Sequence, residues 1–432
     1  MTSPFELSLI SGPVPVVVAA CGAAAGLYLL GDRRRTWWTR VVPLSAAACG
    51  LLAVGVALVV DLVWRPFPER LPAVVPAWLG AAVLGVVLAV ARWPHAGWPR
   101  RVISAVAVLV LVVSGLSGVN QHFGLYTTLR TALDKADTVA LDDAARTAPD
   151  VVRVPAGKVL ADVWTPPADL PTHGTVSETP IPSSTGYRPR PALVYLPPAY
   201  AATPRPRLPV LVLLAGQPGS PHDWFEAGEL VRHLDAYAQR HRGLAPIVVV
   251  PDQLGSTTAN PMCLDSKLGN VETYLARDVP GWIKNRLQVD ESRGAWTIAG
   301  LSQGGTCSFQ LAVRAPEVYA RFINVSGQRE PTLGTRADTV KAAFGGDETA
   351  FRRVNPLDIL VGTRFPDTQG MVVAGRDDAI YHKDDREVYE ACLRAGMDVR
   401  WREIPGAHDW TVWRPGLVDS LPWLGERTGL GG

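Results

Sequence analysis

The stretch WTIAGLSQGGTCSFQLAVRAPE, residues 296–317, is the most informative part of the 432-residue sequence. Its apolar beginning is typical of a buried strand, and the residues after Ser302 have the apolar spacing of a helix. Ser302 therefore falls on a tight strand-to-helix turn with the pattern GxSxG, in which Gly300 and Gly304 avoid the collisions of a Cβ. Such a turn strains the serine backbone and points a helix N-terminus at it. Ser302 is the candidate nucleophile, and an ordinary turn serine is the alternative.

Apolar runs and helical stretches alternate on both sides of this turn. Apolar strands separated by helices predict a mostly parallel sheet covered on both faces. The first strands lack an intervening helix and predict an antiparallel entry to the sheet. The eight predicted strands are 158–164, 192–197, 209–216, 246–251, 295–300, 321–327, 370–375 and 398–404. The predicted helices are 223–240, 271–287, 304–315, 384–394 and 409–424, and the segments 166–190 and 251–269 are predicted as loops.

A nucleophilic serine needs a base and an acid that orients the base, expected here in the order serine, acid, histidine on loops after later strands. His408, in PGAHDW, follows the last predicted strand and is the candidate base. Asp378, in AGRDDAIYH, follows the strand before it and is the candidate acid, with Asp377 as the alternative. A surface pair of charges is the other interpretation of the two aspartates.

The oxyanion formed by attack on an ester needs two backbone N–H donors. One is expected from Gln303, directly after the nucleophile. The other is expected from the loop LLAGQPGSPHDW after strand 209–216. Pro218 has no N–H, so Gln217 is the candidate donor. A glycine- and proline-rich turn without a catalytic role is the alternative.

The loop 252–270 lies where folds of this kind build a substrate pocket. From position alone, Asn260, Cys263 and Asp265 are candidate substrate-binding residues, and plain loop packing is the alternative. The sequence has no HExxH, EF-hand, GxxxxGK[ST] or strand-linked GxGxxG pattern, so no metal or other cofactor is expected. The net charge of +2 gives no reason to expect nucleic acid as a partner.

The five cysteines have neither CxxC nor zinc-finger spacing. One pair among Cys263, Cys307 and Cys392 is expected to form a disulfide if that part of the chain is extracytoplasmic. The spacing alone does not choose the pair. Cys21 and Cys49 lie in apolar runs.

Residues 1–120 contain four apolar stretches, 7–30, 41–63, 74–91 and 102–119, which predict a transmembrane anchor. Each is about 18–24 residues long, enough to cross the hydrocarbon core as a helix. A cleaved signal peptide is the competing interpretation of the first stretch. However, no basic side chain precedes this stretch and several arginines follow it, which is the reverse of a signal peptide. Residues 121–154 are predicted as a connector and 155–432 as the catalytic domain.

The arginines between the stretches indicate their orientation. The loops after the first and third helices are rich in arginine: Arg33, Arg34, Arg35 and Arg40, then Arg92, Arg100 and Arg101. The loop between the second and third helices has only Arg65 and Arg70, with Glu69 beside them. The positive-inside rule makes the arginine-rich loops cytoplasmic, so both termini and the catalytic domain are predicted to be extracytoplasmic.

Five segments together resemble the esterase-D-like branch of α/β hydrolases, which includes the secreted mycolyltransferases. They are ALVYLPPAY (192–200), PVLVLLAGQPGS (209–220), VETYLARDVPGWIKNRL (271–287), WTIAGLSQGG (296–305) and PGAHDWTVW (405–413). The resemblance covers about residues 155–425 and implies an α/β-hydrolase fold, here preceded by four transmembrane helices. It also implies catalytic Ser302, Asp378 and His408, with oxyanion donors at Gln217 and Gln303. Membrane-anchored esterase-like proteins match better overall than the mycolyltransferases, which have no such anchor.

These observations predict a membrane-anchored serine esterase that acts on acyl esters, either lipid or sugar esters of the cell envelope. One alternative is an acyltransferase, similar to a mycolyltransferase, that moves the acyl group to a carbohydrate hydroxyl. A second alternative is a catalytically inactive binding protein. The expected partners are a small-molecule or lipid or glycolipid ester and the lipid bilayer, and no protein partner is predicted.

Overall fold

The computed structural model describes residues 4–64, 70–133, 137–141 and 150–431. The chain forms two compact units, Met1–Asp134 and Lys135–Gly432. The division falls within the segment that the sequence predicts as a connector. Parts of that connector, and Arg65 and Glu69 of the second loop, lie outside the described residues.

The first unit is built from long apolar helices. They are α1 (Pro13–Leu30), α2 (Val42–Leu58), α3 (Val74–Arg92) and α4 (Trp98–Phe123), followed by the short α5 (Leu129–Leu133). Helix α2 is extended at both ends by π-helical turns, so one helix runs over Trp37–Trp64. Among the described residues, four helices of 18 to 28 residues reach a mean hydropathy of 1.9 to 2.5. They are long and apolar enough to cross a membrane, which confirms this part of the predicted fold.

Small residues allow these helices to pack closely. Helix α4 contacts α1 and α3, and α3 contacts α2. Ser114 of α4 donates its hydroxyl to the backbone oxygen of Val18 in α1 at 2.8 Å. A Cβ on Gly118 would lie 2.3 Å from the indole nitrogen of Trp78 in α3. Such contacts are typical of helices that associate in lipid, where close approach replaces hydrophobic burial.

Arg92, the last residue of α3, closes one end of this unit. Its guanidinium donates to the carbonyl oxygens of Tyr28, Leu29 and Gly31 at the C-terminus of α1, at 2.6 to 3.3 Å. A cation here satisfies carbonyls that the helix leaves without partners. The two arginine-rich loops, after α1 and after α3, therefore meet at the same end of the unit.

The second unit contains an eight-stranded sheet. Its strands are β1 (Thr175–Thr179), β2 (Ala192–Leu196), β3 (Val210–Leu214), β4 (Ile247–Val250), β7 (Trp296–Leu301), β8 (Arg321–Val325), β9 (Gln369–Gly375) and β10 (Asp398–Ile404). A two-stranded hairpin of β5 (Asp265–Ser266) and β6 (Gly269–Asn270) stands apart. The order in the sheet is β1-β2-β4-β3-β7-β8-β9-β10. Six neighbouring strands of the sheet run parallel: β4, β3, β7, β8, β9 and β10. Strand β2 is antiparallel to both of its neighbours, β1 and β4.

Helices cover both faces of this sheet, since every residue of β2, β3, β4, β7 and β8 is buried. The helices of this unit are α6 (Leu160–Val163), α7 (His222–Phe225), α8 (Leu230–Arg240), α9 (Val271–Thr273), α10 (Val279–Arg286), α11 (Gln303–Arg314), α12 (Arg336–Phe344), α13 (Glu348–Arg352), α14 (Pro356–Gly362), α15 (Tyr381–Arg394), α16 (Trp410–Val418) and α17 (Leu421–Thr428). The α/β architecture with a mostly parallel sheet and an antiparallel entry is as predicted. Because all the parallel strands point the same way, the loops at their carboxyl ends gather at one edge of the sheet.

Two predicted elements at the entry to the sheet are wrong. The predicted strand 158–164 contains the single-turn helix α6, because its buried residues Leu160 and Trp164 are spaced by four, as on one helix face. The first strand is instead β1, inside the segment predicted as a loop. Its sequence TVSET is polar because β1 is the edge strand of the sheet. It pairs with β2 along its length and has an isolated bridge from Val176 to Thr138. The single helix predicted over 223–240 is also divided, into α7 and α8.

Candidate active site

Ser302 sits between the last residue of β7 and the first residue of α11, with φ 51° and ψ −119°. This conformation is strained for a side chain with a Cβ, and the surrounding backbone maintains it. A Cβ on Gly300 would lie 2.3 Å from the Gly304 carbonyl, and one on Gly304 would lie 2.4 Å from the Ala215 oxygen. The turn therefore needs glycine on both sides of Ser302, which explains the GxSxG pattern.

A continuous chain of hydrogen bonds links Ser302, His408 and Asp378. His408 Nε2 lies 2.9 Å from Ser302 Oγ, and His408 Nδ1 lies 2.9 Å from Asp378 Oδ2. Only 12% of the His408 side chain and 4% of the Asp378 side chain are exposed. The imidazole can accept the serine proton at one nitrogen while the other nitrogen donates to a carboxylate, which is the arrangement that activates a serine.

The structure distinguishes the two neighbouring aspartates. Asp378 is buried, and its second oxygen, Oδ1, accepts from the backbone N–H of Tyr381 at 2.9 Å and of Ile380 at 3.3 Å. Asp377 is exposed, and its carboxylate accepts from the backbone N–H of Gly406 at 3.3 Å. Of the two, it is Asp378 that contacts His408.

Two aromatic residues that the sequence interpretation missed hold the His408 ring. Tyr381, at the start of α15, stacks on it with ring centroids 3.8 Å apart and an interplanar angle of 16°. Trp413, in α16, meets the ring edge-on at 5.0 Å. Tyr381 comes three residues after Asp378, so the end of the loop before α15 supplies the acid and the first residue of α15 supplies the stacking ring. The spacing of three residues between Asp378 and Tyr381 is the sequence feature from which the stacking ring could have been predicted.

The two candidate oxyanion donors lie on segments that flank Ser302: Gln217 follows β3 and Gln303 is the first residue of α11. Gln303 begins α11, where backbone N–H groups have no partner within the helix. Gly216, directly before Gln217, lies so close that an added Cβ would be 3.5 Å from Ser302 Cβ. The Gln217 side chain donates to the Thr258 oxygen at 3.0 Å, which fixes the loop after β3 against the loop after β4.

The structure separates the three candidate substrate-binding residues. Asn260 Oδ1 lies 3.4 Å and Cys263 Sγ 3.6 Å from the side-chain nitrogen of Gln303, so both residues lie beside the start of helix α11. Asp265 lies on the exposed β5–β6 hairpin and accepts from the backbone N–H of Thr273 at 3.0 Å. Thr273 is the last residue of α9, so Asp265 fastens the hairpin to the end of that helix.

A disulfide joins Cys263 to Cys307 of α11, and Cys392 is a buried free thiol. The bond closes 44 residues of sequence and fastens the loop after β4 to the helix that begins at Gln303. A cross-link over a loop of this length restricts the unfolded chain by on the order of 4 kcal/mol.

We therefore expect the double substitution Cys263→Ser with Cys307→Ser to lower the unfolding temperature of the second unit clearly. Tryptophan fluorescence of the full-length protein in detergent measures this change. As the control, a reducing agent should destabilise the wild type and leave the double variant unchanged. Equal sensitivity of both proteins to the reducing agent would contradict the expectation.

Asp385 is a fully buried carboxyl group behind the Asp378 loop. Its Oδ1 accepts from Asn324 Nδ2 at 2.9 Å and from the Gly327 N–H at 3.2 Å, while Oδ2 has no hydrogen-bond partner among the described residues. Burial, and after it the charge of Asp378, raise the pKa of Asp385 well above its usual value.

This raised pKa gives the stability a defined pH dependence. The unfolded chain releases the Asp385 proton at about pH 4, whereas the folded chain keeps it to higher pH. The contribution of Asp385 to the free energy of unfolding therefore falls by about 1.4 kcal/mol per pH unit above pH 4, until the carboxyl group ionises in the folded chain. Asp385→Asn keeps an oxygen acceptor and cannot ionise. We expect its unfolding temperature, relative to the wild type, to rise between pH 4.5 and 8; a constant difference would refute this explanation.

Comparison with known proteins identifies the family of the chain. Residues 183–424, more than half of the chain, match the model of the Esterase family. An uncharacterized protein of Corynebacterium glutamicum is 33% identical over 97% of each chain. The iron(III) enterobactin esterase of Dickeya dadantii is 29% identical over a shorter region, 29% of this chain and 28% of that protein.

Solved structures show the same fold at low identity. A ferulic acid esterase superposes with a TM-score of 0.52 at 20% identity, over 60% of this chain and 99% of that one. An S-formylglutathione hydrolase from Agrobacterium tumefaciens gives a TM-score of 0.50 at 22% identity, over 60% of this chain and 97% of that one. These likenesses establish the α/β-hydrolase fold. The family match over residues 183–424 shows that the chain belongs to the Esterase family and is an enzyme of that family.

Proposed function

We propose that this protein is a serine esterase that hydrolyses acyl esters through Ser302, His408 and Asp378. The observation that carries the proposal is the chain of two 2.9 Å hydrogen bonds from Ser302 Oγ through His408 to Asp378. It lies on a strained strand-to-helix turn, in a chain that belongs to an esterase family. A catalytically inactive binding protein would have no need for this arrangement.

In the first step, Ser302 Oγ attacks the ester carbonyl carbon and its proton moves to His408 Nε2. The carbonyl oxygen becomes an oxyanion, which accepts hydrogen bonds from the backbone N–H groups of Gln217 and Gln303. Asp378 stabilises the imidazolium through Nδ1. The tetrahedral intermediate then expels the alcohol, which takes the proton from His408, and the acyl group remains on Ser302.

In the second step, His408 removes a proton from water, and the water oxygen attacks the acyl carbon. His408 then gives the proton to Ser302 Oγ as the bond between this oxygen and the acyl carbon breaks, and the carboxylic acid leaves. A sugar hydroxyl in place of water would give acyl transfer through the same residues. The two reactions are distinguished by analysing the products of an acyl ester with and without a sugar acceptor. The proposal predicts free acid as the main product in both cases, and an acylated sugar as the main product would favour the transferase.

We further propose that the four apolar helices anchor the enzyme in the cell membrane, with the catalytic unit on the extracytoplasmic side. The meeting of the two arginine-rich loops at one end of the helices supports a cytoplasmic location for that end. At the other end, the N-terminal segment pairs with the segment after α4, where the Leu9 N–H donates to the Thr127 oxygen at 2.8 Å. The disulfide supports an oxidising compartment for the catalytic unit.

Protease treatment of protoplasts, which are cells with the wall removed, tests this orientation. Protease added to protoplasts with an intact membrane should remove the catalytic unit and leave a fragment with the apolar helices. Removal only after lysis would place the catalytic unit in the cytoplasm. A soluble cytoplasmic protein expressed in the same cells serves as the control for lysis.

We also propose that the substrates are lipid or sugar esters of the cell envelope. An enzyme fixed at the outer face of a membrane meets esters of that surface at high local concentration. The test compares hydrolysis of envelope lipid extracts by the full-length wild type and by Ser302→Ala. Release of fatty acid by the wild type alone supports the proposal, and activity confined to small water-soluble esters contradicts it.

A further inference from the structure

Gln253 is a buried amide that connects the two sides of the candidate oxyanion hole. It lies three residues after the end of β4, and only 1% of it is exposed. The preceding residue, Asp252, holds the turn by accepting from the backbone N–H groups of Leu254 and Gly255, each at 3.1 Å. Asp252 is itself paired with Arg190 at 2.8 Å. The turn thus presents the Gln253 side chain in one orientation.

The two hydrogens of the Gln253 amide bind the two segments that carry the oxyanion donors. Its Nε2 donates to the backbone oxygen of Ala215 at 2.6 Å, two residues before Gln217. The same nitrogen donates to the side-chain oxygen of Gln303 at 3.0 Å. An amide nitrogen has two hydrogens, so both bonds form together.

We infer that Gln253 is a positioning residue that sets the distance between the Gln217 and Gln303 N–H donors. The inference rests on the proposed function, because it concerns the oxyanion that the esterase reaction creates. Gln253 does not touch the substrate; it acts through the segments that do.

The physical reason is the narrow geometry of oxyanion stabilisation. Both donors must lie about 2.7–3.1 Å from the position that the oxyanion will occupy, and not from the ground-state carbonyl oxygen. Gln217 and Gln303 lie three residues beyond Leu214 and Gly300, respectively, the last residues that pair between the neighbouring strands β3 and β7, so the strand ladder does not reach the donors themselves. Losing the link should therefore weaken binding of the transition state and leave binding of the substrate unchanged.

The test replaces Gln253 by methionine in the full-length protein in detergent. Methionine keeps the length and volume of the side chain and removes the amide. The probes are 4-nitrophenyl butyrate, a trifluoromethyl ketone with an alkyl chain, and the matching methyl ketone. The trifluoromethyl ketone is attacked by an activated serine and forms a tetrahedral oxyanion, whereas the methyl ketone reports ground-state binding.

We expect Gln253→Met to lower kcat/KM by about 10- to 100-fold, since removing one oxyanion donor outright costs about 10²–10³. Affinity for the trifluoromethyl ketone should fall by the same factor. KM and affinity for the methyl ketone should stay within about threefold. The matched control is Gln310→Met, which removes an equally buried amide in α11 that donates to the Cys263 oxygen at 2.7 Å. Its kinetic constants should stay within about threefold of the wild type.

If Gln253→Met does not fold, Gln253→Glu gives the second test, because it keeps the shape and replaces Nε2 by an oxygen. The inference is overturned if the folded variant keeps kcat/KM within about threefold. It is equally overturned if KM rises while affinity for the trifluoromethyl ketone is unchanged. A wild type that neither hydrolyses the ester nor binds the trifluoromethyl ketone would contradict the proposed function itself, which is a distinguishable outcome.

Discussion

Replacing Ser302 by alanine is expected to lower kcat for ester hydrolysis by about 10⁶-fold, because the nucleophile is removed. The oxyanion donors remain, so a small residual acceleration over water should persist. Hydrolysis of 4-nitrophenyl butyrate by the full-length protein in detergent measures the loss. Activity that remains above about one hundredth of the wild type would show that another residue performs the reaction.

The matched control for this substitution is Ser308→Ala in α11, the helix that follows Ser302. Ser308 is buried, and its hydroxyl donates to the backbone oxygens of Gly305 and Ile323 at 2.7 and 3.0 Å. The variant loses a serine hydroxyl near the turn at Ser302 and keeps the hydrogen bonds that link Ser302, His408 and Asp378. Its kcat should stay within about threefold of the wild type, so a general effect of altering α11 can be recognised.

The second large effect is expected for Asp378→Asn, which should lower kcat by about 10⁴-fold. The asparagine has nearly the same shape, but it has no charge to stabilise the imidazolium. Its amide nitrogen can also face His408 Nδ1, which favours the tautomer that cannot accept the serine proton. The measurement is kcat for 4-nitrophenyl butyrate at the pH where the wild type is most active.

Asp377→Asn is the control for that substitution, because it makes the same chemical change one residue away. Asp377 is exposed and accepts a hydrogen bond from Gly406 without contacting His408. Its kcat should stay within about fivefold of the wild type. A larger loss for Asp377→Asn than for Asp378→Asn would reverse the assignment of the acid.

The elements around the turn at Ser302 were predictable because their signals are local. An apolar strand, a GxSxG turn and a helix follow one another within residues 296–314, so neighbouring residues determine the turn. The strands β3, β4 and β9 were predictable for the same reason, since both faces are buried and the runs are apolar throughout. The three candidate catalytic residues meet at one edge of the sheet because each of them follows the carboxyl end of a parallel strand.

The remaining features depend on contacts between distant residues, which a single sequence does not display. The polar strand β1 lacks an apolar run because it lies at the edge of the sheet, where β2 is its neighbouring strand. The helices α12–α14 fill a long insertion between β8 and β9 that has no clear periodicity. The pairing of Cys263 with Cys307 and the bonds of Gln253 join residues about 40 to 50 positions apart.

The reactivity of Ser302 toward a fluorophosphonate tests the central claim most directly. The full-length protein in detergent is treated with the reagent, digested, and mapped by mass spectrometry, alongside Ser302→Ala. We expect one adduct, on the peptide containing Ser302, that is absent from the variant and forms far more slowly in Asp378→Asn. The absence of an adduct on folded wild type, or an adduct that persists in Ser302→Ala, would contradict the claim that Ser302 is an activated nucleophile.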